Sequence, residues 1–89
     1  MDSNINKYIH GIKRILNPDE SDDNIIKFRK NLFHVEEKIK NKKIDDAIKL
    51  IESNKELLGR YPKIQAKLKP LLEYLGRINS SQKKEHDID

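Results

Sequence analysis

The chain has 89 residues with 38% charged and 35% hydrophobic side chains, which is enough for one small domain with a single hydrophobic core. Its formal net charge is +4. Because the chain contains no cysteine, disulfides and thiolate zinc sites are excluded, and an intracellular protein is favoured over a small secreted one. No apolar run approaches the roughly 20 residues of a membrane span, and the first residues resemble no signal peptide, so we expect a cytoplasmic protein without a membrane partner.

Apolar residues at helical spacing predict a first helix from residue 4 to residue 16, with Ser3 as its N-cap. These residues are Ile5, Tyr8, Ile9, Ile12, Ile15 and Leu16. The next segment, residues 17–23, contains a proline and a cluster of capping residues, and it predicts a loop. Two aspartates at its end are placed to meet the positive end of the helix that follows.

A broad apolar face predicts a second helix from about residue 23 to residue 40. Its main seam repeats at spacings of 3, 4, 3 and 4 and comprises Ile25, Phe28, Leu32, Val35 and Ile39. Ile26 and Phe33 widen this seam on one side. We interpret the segment as a core helix of a bundle. The alternative is that Ile26 and Phe33, the apolar residues beside the main seam, form a homodimer interface.

Two further helices follow, separated by signals for helix ends. The third begins near Asp45 and Asp46, and its inward face is Ile44, Ala47, Ile48 and Ile51. The fourth is predicted from about residue 62 to residue 78, and its buried residues are Ile64, Leu68, Leu71, Leu72, Leu75 and Ile78. Pro70 interrupts this pattern and predicts a kink. Residues 79–89 show no buried face and are predicted to be a disordered polar tail.

Four segments of the second half of the chain follow one another in a characteristic order. They are VEEKI at 35–39, IDDAIKLI at 44–51, LLGRYP at 57–62 and LKPLLEYL at 68–75. Together they resemble the CTLH helical motif. That motif consists of a helix and a tight turn, an alanine-centred helix, a Leu-Leu pair before a proline, and a leucine-rich final helix. Lys42 stands where that family tends to have a turn glycine. The resemblance implies a helical hairpin that serves as a protein-interaction module, in that family often within ubiquitin-ligase scaffolds.

One stripe of side chains is the main candidate for a binding surface. It comprises Arg60, Lys63, Lys67, Tyr74 and Arg77, which recur at spacings of 3, 4, 7 and 3 along one side of the fourth helix. Such a stripe can dock on an acidic protein surface. It can also follow phosphates, with Tyr74 stacking on an exposed base. The third interpretation is the ordinary solvated face of a lysine-rich helix.

The sequence offers no catalytic, metal or nucleotide site. The three histidines, His10, His34 and His86, lie on separate segments without further ligands at metal-binding spacing. The acidic pairs, Glu36 with Glu37 and Asp45 with Asp46, are adjacent and therefore diverge around a helix. The isolated glycines form no phosphate-binding loop. We therefore predict a non-enzymatic protein without cofactor or metal.

These patterns predict an all-α fold, a small antiparallel bundle of about four short helices that spans residues 1–78. The favoured function is a protein-protein interaction module, an adaptor or inhibitor of the kind that phages and mobile elements also encode. Its partner would dock on the cationic stripe or on the apolar surplus at Ile26 and Phe33. The alternatives left open are a nucleic-acid-binding protein that uses the stripe and a homodimer through Ile26 and Phe33.

Overall fold

The architecture is a bundle of four α-helices, seen in a computed structural model that describes residues 3–16 and 21–87, with side chains through residue 81. The helices are α1 (Ser3–Ile15), α2 (Asp23–Lys40), α3 (Ile44–Asn54) and α4 (Pro62–Asp87). A short 3-10 helix, Glu56–Leu58, connects α3 to α4. No strand occurs in the described residues. The all-α prediction is thus confirmed, and helix starts and ends agree closely with the sequence pattern through residue 62.

Local backbone chemistry determines where α2 begins and ends. At its start, the carboxylate of Asp22 accepts a hydrogen bond of 2.8 Å from the Asn24 N–H, as expected of an N-cap. At its end, the Lys42 N–H donates to the Ile39 carbonyl and the Lys43 N–H donates to the Lys38 carbonyl. This pair of bonds is the Schellman arrangement, in which the residue after the cap adopts a left-handed conformation. Lys42 occupies that position, with φ of 62°.

One hydrophobic core unites the four helices and the 3-10 helix. Helix α3 lies between α2 and α4, and α1 packs on α4. Side chains buried in this core are Ile5, Ile9, Ile12, Ile25, Phe28, Leu32, Val35, Ile39, Ile44, Ala47, Ile51, Leu58, Ile64, Leu68, Leu71 and Leu75. The centre of each predicted apolar seam is therefore the buried side of its helix, which the 3.6-residue period explains. At the edges of the seams Ile48, Leu72 and Ile78 are only partly buried, and Ile15 is exposed.

A buried asparagine fixes the approach of α2 to α3. Asn54 is only 1% exposed, and its amide nitrogen donates to the Leu50 carbonyl at 2.6 Å. Its side-chain oxygen accepts a hydrogen bond of 2.7 Å from the Asn31 amide on α2. Both polar ends of Asn54 are thus satisfied in the core, which removes most of the cost of burying an amide. The sequence pattern gave no sign of this contact.

Helix α4 is longer than the sequence predicted. It continues through Pro70 as one helix, although Pro70 supplies no backbone donor to the ladder. It also runs on to Asp87, through most of the segment predicted to be a disordered tail. Within this segment, the side-chain amide of Asn79 donates a hydrogen bond to the Asp45 carboxylate and so links this turn of α4 to the start of α3.

The two phenylalanines provide a direct test of the core, because they lie on opposite sides of the same helix. Phe28 is 2% exposed and Phe33 is 57% exposed. We expect Phe28→Ala to lower the free energy of unfolding by about 3–5 kcal/mol, since it leaves a cavity. Phe33→Ala should change it by no more than about 0.5 kcal/mol. Urea denaturation followed by circular dichroism at low protein concentration measures both values; equal losses would contradict the fold.

The left-handed residue at the α2–α3 turn generates a second stability prediction. A side chain with a β-carbon is strained at positive φ, and glycine is not. We therefore expect Lys42→Gly to raise the free energy of unfolding by about 0.5–1 kcal/mol. Lys42→Ala removes the same charge but keeps the β-carbon, so it should give no such gain. A gain of equal size in both variants would assign the effect to charge.

Candidate functional site

Three exposed cations form the centre of the predicted binding surface. Lys67 and Arg77 follow Lys63 on α4 by about one and four helical turns, so all three lie on the same flank of the helix. All three side chains are exposed. Within the part of the chain that the structure describes, none of the three forms a salt bridge. We call Lys63, Lys67 and Arg77 the cationic flank, and its charges are directed to solvent.

Arg60 belongs to a different local environment from the cationic flank. It lies in the turn before α4, next to Tyr61, whose hydroxyl donates a hydrogen bond of 2.5 Å to the Asp22 carboxylate. This hydrogen bond is the main cause that lowers the pKa of Asp22, and the hydrogen bond from the Asn24 N–H is the next. Partial burial of the carboxylate acts in the opposite direction and raises the pKa. The positive charge of Arg60 lowers it further. Arg60 thus interacts electrostatically with Asp22 at the end of the predicted stripe.

Tyr74 contacts α1. It is half-buried, and its ring lies 5.7 Å from the ring of Tyr8 with an angle of 57° between the two planes. Its hydroxyl accepts a hydrogen bond of 3.3 Å from the side-chain amide of Asn4. The tilted ring pair has the geometry that aromatic side chains prefer. The sequence interpretation of Tyr74 as an open stacking platform therefore differs from the structure, where the ring joins α1 to α4.

An exposed apolar side chain accompanies the cationic flank. Asn4 and Tyr8 of α1 both contact Tyr74, and Ile15 follows Tyr8 by about two helical turns on the same side of α1. Because α1 and α4 are antiparallel neighbours, this side of α1 borders the flank of α4 that carries Lys63 and Lys67. Ile15 is 40% exposed. Sequence reasoning placed Ile15 on the apolar face of α1, since spacing alone does not separate the edge of such a face from its buried centre.

The apolar surplus of α2 forms a separate surface. Phe33 is exposed and Ile26 is half-buried, as expected for residues beside the core seam. Helix α1 lies between this surface and the cationic flank. On one side Tyr8 of α1 contacts α4, and on the other side Lys13 forms a salt bridge of 2.6 Å with Glu36 of α2. The structure therefore does not bring all predicted binding residues together.

The described residues form neither a metal site nor a membrane-spanning helix. No group of three or more histidine, cysteine or acidic side chains is placed to hold a metal ion there. His34 lies 3.8 Å from Glu37 on the same helix, and two such groups do not form a metal site. None of the described helices combines the length and the apolar composition that crossing a bilayer requires.

No family model, curated protein or solved structure matches the chain. The resemblance to the CTLH motif therefore stays a prediction.

The contact between Asp22 and Tyr61 predicts how stability depends on pH. The pKa of Asp22 lies below its ordinary value of 3.8, so the ionised carboxylate stabilises the fold above that pH. This stabilisation is lost as the pH falls through the lowered pKa of the folded state. We expect Tyr61→Phe to reduce the loss of stability below pH 3.8, because the main cause of the shift is gone. Thermal unfolding of both proteins at pH values from 7 to 2 measures this loss of stability.

The matched control is Tyr8→Phe, which removes a hydroxyl from the other end of the bundle. Its stability should depend on pH as that of the unsubstituted protein does. If Tyr61→Phe shows an unchanged acid limb, the hydrogen bond to Asp22 does not contribute to the pKa shift.

Proposed function

We propose that the chain is a cytoplasmic protein-interaction module, an adaptor or inhibitor, that binds an acidic partner surface through its cationic flank. The observation that carries the proposal is that Lys63, Lys67 and Arg77 are aligned and exposed, with no salt bridge to any described residue. Opposite charges on a partner would steer its approach and select its orientation.

The mixture of charge and apolar surface favours a protein partner. Lys63 and Arg77 are separated by about 21 Å along the helix, at 1.5 Å per residue. Ile15 adds an exposed aliphatic side chain beside this row. Protein interfaces combine an apolar contact with a charged rim in this way. An acidic partner with an aliphatic pocket between its carboxylates would fit the surface.

Charge reversal on the cationic flank tests the proposal. We expect the double variant Lys63→Glu and Lys67→Glu to lose the partner that the unsubstituted protein captures from its native cell, with affinity reduced at least about tenfold. The matched control is Lys27→Glu with Lys49→Glu, which changes net charge equally on exposed positions of α2 and α3. Affinity capture followed by quantitative mass spectrometry measures the loss of the partner in each double variant. Titration with the purified partner then measures the affinity of each.

The control variant should keep the partner. Equal loss in both double variants would assign the effect to net charge, and unchanged capture by the Lys63 and Lys67 variant would reject the flank as the binding surface.

The second candidate is nucleic-acid binding, which the alignment of the three cations also favours. Against it stands Tyr74, whose ring is packed on Tyr8 and is not presented for base stacking. We expect labelled single- and double-stranded oligonucleotides to bind only weakly at low salt, and equally to the flank and control variants. Fluorescence anisotropy over a salt series distinguishes the two functions. Tight binding that falls steeply with salt, and that is lost only when the charges of the cationic flank are reversed, would favour nucleic-acid binding over a protein partner.

A further inference from the structure

The charges of the bundle are divided unevenly between its helices. Helix α1 carries three cations and no acidic residue. Helix α4 carries four cations and one glutamate as far as Ser81. Helices α2 and α3 together carry six cations and six acidic residues, so their charges cancel. Because α1 packs on α4, the excess of positive charge is concentrated on one helix pair.

Two rows of side chains border the groove between α1 and α4. The row on α1 has spacings of 4, 3 and 4 and comprises Asn4, Tyr8, Gly11 and Ile15. Its first two members contact Tyr74 of α4. On α4 the opposite row has spacings of 4, 3, 4 and 3 and adds Pro70 and Tyr74 to the cationic flank. The two rows therefore face each other along the groove.

The middle of the groove is lined by two short residues. Gly11 lies three residues after Tyr8, and Pro70 lies four residues before Tyr74. Because the two helices are antiparallel, these steps run in the same direction from the pair of tyrosine rings. Outside its own helical turn, a β-carbon at Gly11 would meet no described atom within 4 Å. The space above Gly11 is therefore open.

The packing of the chain does not account for a glycine at position 11. Gly11 lies inside α1 and does not have a positive φ, so no turn requires it. A glycine inside a helix weakens that helix relative to alanine. What Gly11 does provide is room for another backbone to approach α1 closely, since the distance between packed helices depends on the side chains at their contact.

Positive charges lie on both sides of this open position. Lys7 is four residues before Gly11 and Arg14 is three residues after it, so these three residues share one line of α1. Both cations are exposed, and neither forms a salt bridge with a residue that the structure describes. Lys63 and Lys67 lie across the groove on α4. A partner segment in the groove would therefore need negative charges along both of its edges.

The geometry points to an acidic helix of the partner as the occupant of the groove between α1 and α4, with its backbone closest at Gly11. A groove between two helices fits a third helix, and the exposed side chain of Ile15 suits an apolar inner face between its carboxylates. From Lys63 to Arg77 the groove accommodates about four turns of such a helix. This inference rests on the proposed function, and it adds α1 to the binding surface.

A synthetic helix tests the inference. The probe is a stapled peptide of about 20 residues with an alanine stripe between two rows of glutamate, which is about the length of the groove. Its control has the same charge and two central prolines, which prevent a continuous helix. We expect the stapled peptide to bind at least about tenfold more tightly than the control. It should shift the amide NMR signals of Gly11 and of the neighbouring residues on α1 and α4.

Three results with these probes would overturn the inference. One is equal affinity of the stapled and the proline-containing peptide, because the groove would then not select a helix. The second is a set of shifted signals confined to α2 and α3. The third is an oligonucleotide of the same charge that binds this groove more tightly than the stapled peptide, which would make the occupant a nucleic acid.

Gly11→Gln tests the close approach, and Gly76→Gln is the matched control. Gly76 is also open, and it follows Tyr74 by two residues, so it lies on the other side of α4 from α1. Both variants should raise the thermal unfolding midpoint, because each replaces a helical glycine. Gly11→Gln should weaken binding of the stapled peptide at least about tenfold, whereas Gly76→Gln should leave it unchanged. Equal affinities of the two variants would contradict the close approach.

Neutralising the cations of α1 separates this inference from the proposed function. We expect Lys7→Gln with Arg14→Gln to weaken the stapled peptide at least about tenfold, compared with Lys27→Gln and Lys49→Gln, which change the net charge equally. If the α1 variant keeps the peptide and Lys63→Glu with Lys67→Glu loses it, the cationic flank stands and the groove is rejected. If the flank variant also keeps it, the proposed function fails too.

Discussion

The structure depends on the burial of one apolar stripe from each helix in a single shared core. The residues of α4 make the constraint clear, because Leu68, Leu71 and Leu75 are completely buried and face α1 and α3 together. A chain of this size exposes much of its surface, so it has few other apolar contacts to hold it together. Truncation of a central side chain such as Phe28 therefore affects all four helices, and the surfaces that they carry, at once.

Polar contacts select one arrangement of the four helices among those that the apolar stripes allow. The hydroxyl of Tyr61 joins the start of α4 to the start of α2 through Asp22. Asn79 joins a later turn of α4 to the start of α3. Asn54 joins α3 to α2 inside the core. Apolar contacts are not directional, whereas each of these hydrogen bonds forms at only one relative position of its two helices.

Two surfaces of the molecule remain after the core is formed, and they differ in chemistry. The flank of α4 carries Lys63, Lys67 and Arg77 without salt bridges to described residues, and this suits an oppositely charged partner. The surface of α2 beside the core seam carries the exposed side chain of Phe33 and the half-buried side chain of Ile26. Helix α1 lies between the two surfaces.

The sequence by itself determined the helices and which side of each is apolar, because a 3.6-residue period is a local property of the chain. It also identified Phe33 as surplus to the core seam. It did not predict the continuation of α4 beyond residue 78, because residues 79–87 are all polar and show no apolar periodicity. Only the tertiary structure decided that Tyr74 packs on Tyr8, that Ile15 is left exposed, and that α1 separates the two surfaces. These features depend on which helices become neighbours, and periodicity within one helix contains no information about the helix that will lie beside it.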